Sequence, residues 1–397
     1  MRAPKIAVIG AGIAGLTTAV FLHQAGLPCR VFEQARDLRV LGAGLQLSPN
    51  AVRVLHGIGL GPDLQRDAVA IHTLSFLRWS DDTPLAYLPL GQHGVHSFGA
   101  PYYGIHRADL HRALLGRFPE DVLELGTECI EIQQDGNLAH IQFATGHGAD
   151  ADLVIGADGI HSKVRGGLAK DAPRYTGHII YRGLVEAERV PLLAKVPNVR
   201  LWLGPGRHLV SYPICAGRLL YFGATAPLER WIGPQWSVAA KRDQLAEAYR
   251  GWSDTVQTLI SAAREVTCWA LHDRAPLRRW QDPQTVLVGD AAHSMLPFMA
   301  QAANQAIEDA AVLVSCLRAS SSPGWSLVHY ERTRRSRVDR IHRLSRDNAA
   351  LFHLTDGAAQ RRRDRTFQKL WTRDSLAWLF GHDPTRNIKH GRSLHEQ

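Results

Sequence analysis

Near the start of the chain the apolar positions change period in a fixed order. Lys5–Ile9 is a short apolar run that stops at glycines, Ala14–Gln24 carries apolar residues at helical spacing with Gly26 as its stop, and Cys29–Glu33 is a second apolar run ending in an acid. Strand, glycine turn, helix and acid-terminated strand within about thirty residues predict a βαβ unit. Further on, alternation in Leu123–Ile132 and Ala139–Phe143 around the Asp135-Gly136-Asn137 turn predicts a hairpin, and Ala151–Ala157 reads as a buried strand ending in Asp158-Gly159. From about Tyr175 to Trp269 the pattern becomes short alternating strands such as Arg200–Leu203, Leu209–Tyr212 and Leu219–Gly223, punctuated by Gly and Pro. Thr285–Val288 returns to a buried strand, followed by Gly289-Asp290 and a helical stretch from about Asn304 to Leu317. Beyond Trp325 the chain is helical and basic, and after about Thr385 it is polar and expected to fray.

These elements predict an α/β protein. Its parts are a discontinuous Rossmann-like domain over 1–174 and 270–325, with some strands of the second sheet inserted around 70–105, a mostly antiparallel β-sheet domain over 175–269, and C-terminal helices over 326–397. Composition narrows this only slightly. With 45% hydrophobic and 21% charged residues in 397, the chain has ordinary globular usage and enough length to bury a cofactor. No apolar run spans a bilayer, and the first one breaks into glycines instead of forming a signal-peptide core, so a cytoplasmic protein is expected. Cys29, Cys129, Cys215, Cys268 and Cys316 stand singly with no C-x-x-C pair, which suggests reduced thiols and neither a disulfide framework nor a metal site. The formal charge of +9 is concentrated in Arg332–Arg346 and Arg361–Arg365 without interleaved aromatic repeats. That pattern fits solvated helix faces better than a nucleic-acid surface. It would also steer anionic cofactors and carboxylate substrates toward the protein.

The candidate chemistry starts in Gly10-Ala11-Gly12-Ile13-Ala14-Gly15. Gly10 permits the tight turn, Gly12 lets backbone approach a pyrophosphate, and Gly15 permits close packing of helix on strand. The helix N-terminus then faces the phosphates. Glu33 is placed to accept hydrogen bonds from an adenosine ribose, which points to FAD or NAD ahead of NADP. A single such fingerprint leaves a nicotinamide donor without a fold of its own.

The choice of FAD comes from two further segments. Ala151–Arg165, with Gly156-Ala157-Asp158-Gly159 at its centre, and Gly289-Asp290-Ala291-Ala292-His293-Ser294-Met295-Leu296-Pro297 resemble the paired motifs of the flavoprotein aromatic hydroxylases of the para-hydroxybenzoate hydroxylase type. Gly42–Asn50, His106–Leu110 and Ala275–Trp280 are also similar to segments of that family, so the resemblance spans nearly the whole chain, nearest the salicylate, hydroxynicotinate and 3-hydroxybenzoate hydroxylase branch. The resemblance implies that Asp290 binds the ribityl chain, that Arg107 contacts the FAD backbone, and that Asp158 serves FAD and NAD(P)H. Ala14, Gln34, Gly44, Ala303 and Asn304 fall at its other FAD positions. The helix after Asp290 would aim its N-terminus at the flavin pyrimidine edge.

The implied reaction uses NAD(P)H as a transient co-substrate and O₂, and hydroxylates a phenolic or heteroaromatic molecule, with a carboxylate an option, through a flavin C4a-hydroperoxide. The same fold would also suit oxidase, epoxidase or oxidative ring chemistry on a natural product, and a homodimer is an option. His208 and Tyr212, four residues apart in a strand, share one face and are candidates for handling a phenolic proton. In similar enzymes a histidine and a tyrosine at this spacing lie by the substrate. Gln301 and Pro297 fall at pocket positions there. Around Gln301 the chain departs from the commoner glycines with Ala300 and Ala302, and an added methyl at Ala302 would cost access to positive φ beside the flavin. Gln46 stands where the hydroxynicotinate branch often has histidine.

Overall fold

The computed structural model describes residues 5–38, 43–231, 236–320 and 322–386. Gly42 and the polar end beyond Arg386 lie outside the described residues. Ile6–Ile9 is buried on both faces, as a central parallel strand requires. It lies in a six-stranded sheet ordered Gln281–Asp282, Thr285–Leu287, Leu153–Gly156, Ile6–Ile9, Cys29–Glu33 and Leu123–Leu125, parallel except at the Gln281–Asp282 edge. Helix Ile13–Gln24 packs on this sheet, and helix Ala302–Ala319 packs on that helix.

The run Leu123–Ile132 does not form one arm of a hairpin. It breaks at Gly126, which has φ +71°, so Leu123–Leu125 joins the parallel sheet while Cys129–Asp135 pairs with Leu138–Phe143 in a separate three-stranded sheet. Ile130 and Ile132 are out of phase with Leu123 and Leu125, so the alternation shifts between the two strands.

An eight-stranded sheet runs in the order Ser237–Ala240, Val266–Asp273, Arg174–Glu186, Leu219–Pro227, Arg207–Ile214, Asn198–Gly204, Thr73–Arg78 and Pro84–Pro89. Its pairs are antiparallel apart from Asn198–Gly204 with Thr73–Arg78. A small sheet of Gly44–Leu47, Tyr103–His106 and Val69–Ala70 presses onto it. At Gly104 the approach is so close that a Cβ would lie 2.3 Å from the Pro213 carbonyl oxygen.

Helix Pro323–Phe352 has 30 residues, about 45 Å of rise. It starts near the parallel sheet, where the Tyr330 hydroxyl donates to the Leu287 carbonyl at 3.0 Å, and ends beside the eight-stranded sheet at His353. Its arginines do not all lie on a solvated face. Arg334 is fully buried and Arg337 nearly so, and Arg363 of the next helix, Ala358–Thr366, is also buried. A helix rich in arginine turns some of them inward when buried acids wait there. No described helix is long and apolar enough to cross a membrane.

Candidate active site

Between the two large sheets lies a cavity of about 350 Å³ whose wall includes Gly12, Ala14, Gly44, Arg107, Asp290 and Ala303. The glycine loop explains one side. Gly10 takes φ +101°, and a Cβ there would sit 2.6 Å from the Ala157 carbonyl oxygen; a Cβ on Gly15 would sit 1.8 Å from that of Gly10. Both glycines are therefore demanded by protein contacts. Gly12 differs, because a Cβ there would meet no protein atom within 4 Å. The space above Gly12, at the start of helix Ile13–Gln24, is kept for something other than protein, as a phosphate cradle should be. Glu33 braces the loop, its carboxylate accepting from Ala11 N at 2.7 Å and Ala35 N at 2.9 Å. Each oxygen keeps a lone pair for a ribose hydroxyl. Gln34 beside it is exposed.

Asp290 follows strand Thr285–Leu287 and opens a single helical turn, Asp290–His293, not a long helix. The long helix begins twelve residues later, at Ala302, and it is the first turn of that helix, with Ala302 and Ala303, that opens on the cavity. Asp290 is exposed to the cavity, with the cavity walls crowding its carboxylate. Desolvation by those walls pushes its carboxyl up, against the pull of His293 and Arg107. Arg107 begins helix Arg107–Leu115 and is tied by its backbone N–H to the Ala43 carbonyl at 2.9 Å, which sets it opposite Asp290 across the cavity. An acid, a base and bare backbone lining one elongated cleft fit a polar nucleotide cofactor with hydroxyl and phosphate groups.

Asp158 is spent on its own turn. Its carboxylate accepts from Ser162 Oγ at 2.6 Å and Lys163 N at 2.7 Å, so the neighbouring Ala157 and Gly159, not Asp158, form the cavity wall. Asn304 likewise clasps structure, accepting from Ser48 N at 2.9 Å and donating to the Ala300 carbonyl at 2.7 Å and the Gln46 carbonyl at 2.9 Å.

Gln301 borders the cavity but is only 1% exposed. Its Nε2 donates to Ser48 Oγ at 2.9 Å, and its Oε1 accepts from Gln305 at 2.9 Å and Asn50 at 3.3 Å. The amide is thus turned inward, away from a substrate. It ends a buried network in which Asn50 donates to Glu308 at 2.6 Å, Arg334 bridges Glu308 and Asp309, and Asp309 accepts from His293 at 2.6 Å and from the Gly289 N–H at 2.9 Å. That network joins the Gly289-Asp290 turn to the wall around Gln301.

The positive φ expected near Ala302 falls elsewhere. Ala300, not Ala302, has φ +50°, and Ala302 is the first residue of a helix, where a methyl costs nothing. Pro297 opens the preceding turn and lines the cavity, with its carbonyl accepting from Ala300 N at 3.0 Å. Ser345 and Asn348 of the long helix pin that turn at the Leu296 and Phe298 carbonyls.

On the other side the cavity continues into an apolar chamber walled by Phe76, Leu201, Phe298, Phe352, Trp371 and Phe380. Strand Arg207–Ile214 presents His208, Val210 and Tyr212 to the same side, as alternation dictates. Tyr212 packs on Tyr221 with ring centroids 5.0 Å apart and is bonded to Gln46, whose Oε1 also accepts from the Tyr102 hydroxyl at 2.7 Å. Gln46 therefore clips two tyrosines together at the chamber edge. Gly44 is a glycine partly because those rings fill its side-chain space, with a Cβ there lying 2.6 Å from Tyr221. Burial pushes the Tyr212 phenol well above 10, so it remains a donor at neutral pH. Burial, with His353 and His178 nearby, holds the His208 imidazole well below 6.5, so it is a neutral base.

Tyr102, Arg182 and His353 were not singled out by their local sequence. Each lies outside a motif, and only the pairing of distant strands and the length of the last long helix bring them to the site.

Residues 4–345 match the model of a family described as FAD binding domain. Among curated relatives, the 3-amino-4-hydroxybenzoate 2-monooxygenase PtmB3 of Streptomyces platensis is 45% identical over 379 residues, covering 95% of this chain and 96% of that protein. The 6-hydroxynicotinate 3-monooxygenase of Pseudomonas fluorescens is 34% identical over 393 residues, covering 96% of each. Among solved structures, that of Klebsiella pneumoniae HpxO complexed with FAD and uric acid is similar with a TM-score of 0.82 at 26% identity, over 98% of this chain and 95% of that one.

Proposed function

The chain belongs to the FAD-binding family of flavin-dependent aromatic monooxygenases, and from that premise we propose that its substrate is a hydroxybenzoate of the 3-amino-4-hydroxybenzoate kind, hydroxylated at the ring carbon between the carboxylate and the amino group with O₂ and NAD(P)H. The observation that carries this reading is the junction of two spaces, a cleft where Gly12, Arg107 and Asp290 offer backbone and charge to FAD and an aromatic-walled chamber entered past His208 and Tyr212. Three relatives at 44–45% identity that share the name 3-amino-4-hydroxybenzoate 2-monooxygenase support the substrate class. Gln46, an amide in place of the histidine frequent in the hydroxynicotinate branch, supports a phenol over a pyridone.

Bound FAD would supply the redox chemistry, taking electrons from NAD(P)H and an electrophilic oxygen from O₂. The residues of this chain bind, orient and move protons. We assign Gly12, the first turn of helix Ile13–Gln24 and Glu33 to the dinucleotide end, and Asp290 and Arg107 to the middle of the cofactor. The N-terminus of helix Ala302–Ala319 offers positive partial charge to an anionic ring edge, while the phenylalanine-rich chamber excludes water from the substrate ring. His208 accepts the phenolic proton, which raises electron density on the ring. Tyr212, held by Gln46, donates to the oxygen that remains. Gln301 acts by holding the wall against which the ring system rests, not by touching substrate. In this reading residues 1–174 with 270–325 form the FAD domain, the strands around 70–105 and 175–269 the substrate domain, and 326–397 the helical closure. Burial pushes the thiols of Cys29, Cys129, Cys215 and Cys268 to about 11, consistent with unreactive cysteines in a cytoplasmic protein.

Screening hydroxylated and aminated benzoates for stimulated NAD(P)H oxidation, with product mass read under labelled oxygen, tests the substrate. If every phenol leaves turnover uncoupled and no oxygen enters a product, the proposal fails. Two variants divide the site. Asp290→Ala is expected to weaken FAD retention at least about tenfold, measured as flavin per protein after desalting, since it removes a charged acceptor from the cleft. Tyr212→Phe is expected to keep full flavin content and lose about a hundredfold in coupled hydroxylation, the scale of one positioned proton donor. Normal coupled turnover in Tyr212→Phe would remove that tyrosine from the chemistry.

A further inference from the structure

Resting on phenol hydroxylation as read above, we propose that His353 is the outward member of a proton relay that carries the substrate's phenolic proton from His208 to solvent beside His178. His208 Nδ1 lies 2.8 Å from His353 Nε2, and the two rings are stacked with centroids 5.1 Å apart. His353 in turn faces His178, again at 5.1 Å between centroids. Burial falls along the series, since His208 is buried at the chamber wall while His353 and His178 are half-buried. The three imidazoles therefore step from the substrate chamber toward the outside.

The pair is held as a relay must be. Phe298 and Phe352 pack edge-on against the His208 ring and fix its plane. Thr225 Oγ1 sits 3.2 Å from His208 Nδ1 and 3.4 Å from His353 Nε2, closing the junction from the side. The Tyr249 hydroxyl donates to the carbonyls of both His208 and Thr225 at 2.7 Å. The charged and titratable groups acting on the two imidazoles are His178 from strand Arg174–Glu186 and Arg207 from the start of the His208 strand. Burial and these neighbours hold His353 at about 3. Neither ring stores a proton at neutral pH, so a proton taken from the substrate passes through.

The transfer balances without a co-reactant. With Nδ1 engaged by His353, the His208 Nε2 lone pair is the one left for the chamber. The substrate O–H bond breaks as the His208 Nε2–H bond forms. The His208 Nδ1–H proton moves to His353 Nε2, and the His353 Nδ1–H proton leaves to water or His178. Both histidines end neutral with their tautomers exchanged, and His208 Nε2–H is then a donor to the phenolate.

Stopped-flow mixing of the holoenzyme with 3-amino-4-hydroxybenzoate in dilute buffer containing an indicator dye reads the released proton directly. In His353→Gln the amide oxygen still accepts from His208 Nδ1–H but has no second proton to pass, so a purely structural role survives and a relay does not. Proton release is expected to slow about tenfold or more in both His353→Gln and His353→Leu, with flavin content unchanged and the probe's affinity within about threefold. Added imidazole should speed release in His353→Leu. Wild-type release rates in His353→Gln would overturn the relay. A wild-type enzyme that hydroxylates the probe yet releases no proton would overturn it too while leaving the function intact; absence of hydroxylation across the phenols would instead sink the functional reading beneath it.

Discussion

Gly12→Val is expected to fold and to lose FAD. The backbone at Gly12 has φ −73° and ψ −175°, extended geometry open to any L-residue, and a Cβ there meets no protein atom within 4 Å. The substitution should change unfolding free energy by no more than about 1 kcal/mol, the range of a helix-cap change. The same empty space is where we place the cofactor pyrophosphate, so two methyl groups there should weaken FAD binding at least about a hundredfold, about 2.7 kcal/mol. Gly15→Ala makes the contrast, since its Cβ would sit 1.8 Å from the Gly10 carbonyl oxygen and force the helix off the strand. That variant should lose stability and flavin together. Urea unfolding beside flavin titration separates the cases, and a yellow Gly12→Val with stoichiometric FAD would move the pyrophosphate out of this loop.

The contrast also explains what the sequence made legible. A glycine required by protein contacts and one required by a ligand look alike in a motif, yet the motif's spacing is specific enough to place both. The strand Cys29–Glu33 and the shared face of His208 and Tyr212 follow from local rules of period and turn, so they could be read directly. Gln301 could not. Its position in the chain puts it at the cavity, but the direction of its amide depends on Ser48 and Asn50, more than 250 residues earlier. His353 ends a helix whose length, not its composition, delivers it to His208. The arginines of Pro323–Phe352 gave the opposite error, because a dense basic stretch reads as solvated until the acids of another helix are known. Asp158 shows a motif residue whose carboxylate serves its own turn, a use that resemblance alone does not reveal.

Those acids set the second large effect. Glu308 and Asp309 are fully buried, and Arg334 reaches both, donating to Asp309 at 2.7 Å and also pairing with Glu308. Burial pushes the Glu308 carboxyl up, but Arg334 and Arg337 more than offset it and hold it at about 2; Asp309 is held below its ordinary value by His293 and Arg334 in the same way. Arg334→Met removes the shared cation and leaves Asp309 with His293 alone, so it should destabilise the fold by about 3–5 kcal/mol, the penalty of a buried charge stripped of its partner. Because Asp309 also accepts from the Gly289 N–H, flavin affinity should fall with stability. The pH dependence carries the sign. A carboxyl held low in the fold contributes stability that is present above its unfolded value, near 4.5 for Glu308, and is lost as pH falls toward 2. The gap between wild type and Arg334→Met should therefore be widest near neutrality and shrink on acidification, as protonated carboxyls cease to need the guanidinium. Adding Asp309→Asn to Arg334→Met should recover part of the loss, a coupling that a purely steric defect would not produce. A gap that stays constant from pH 7 down toward pH 2, with no recovery in the double variant, would show that Arg334 acts by filling space and not by its charge.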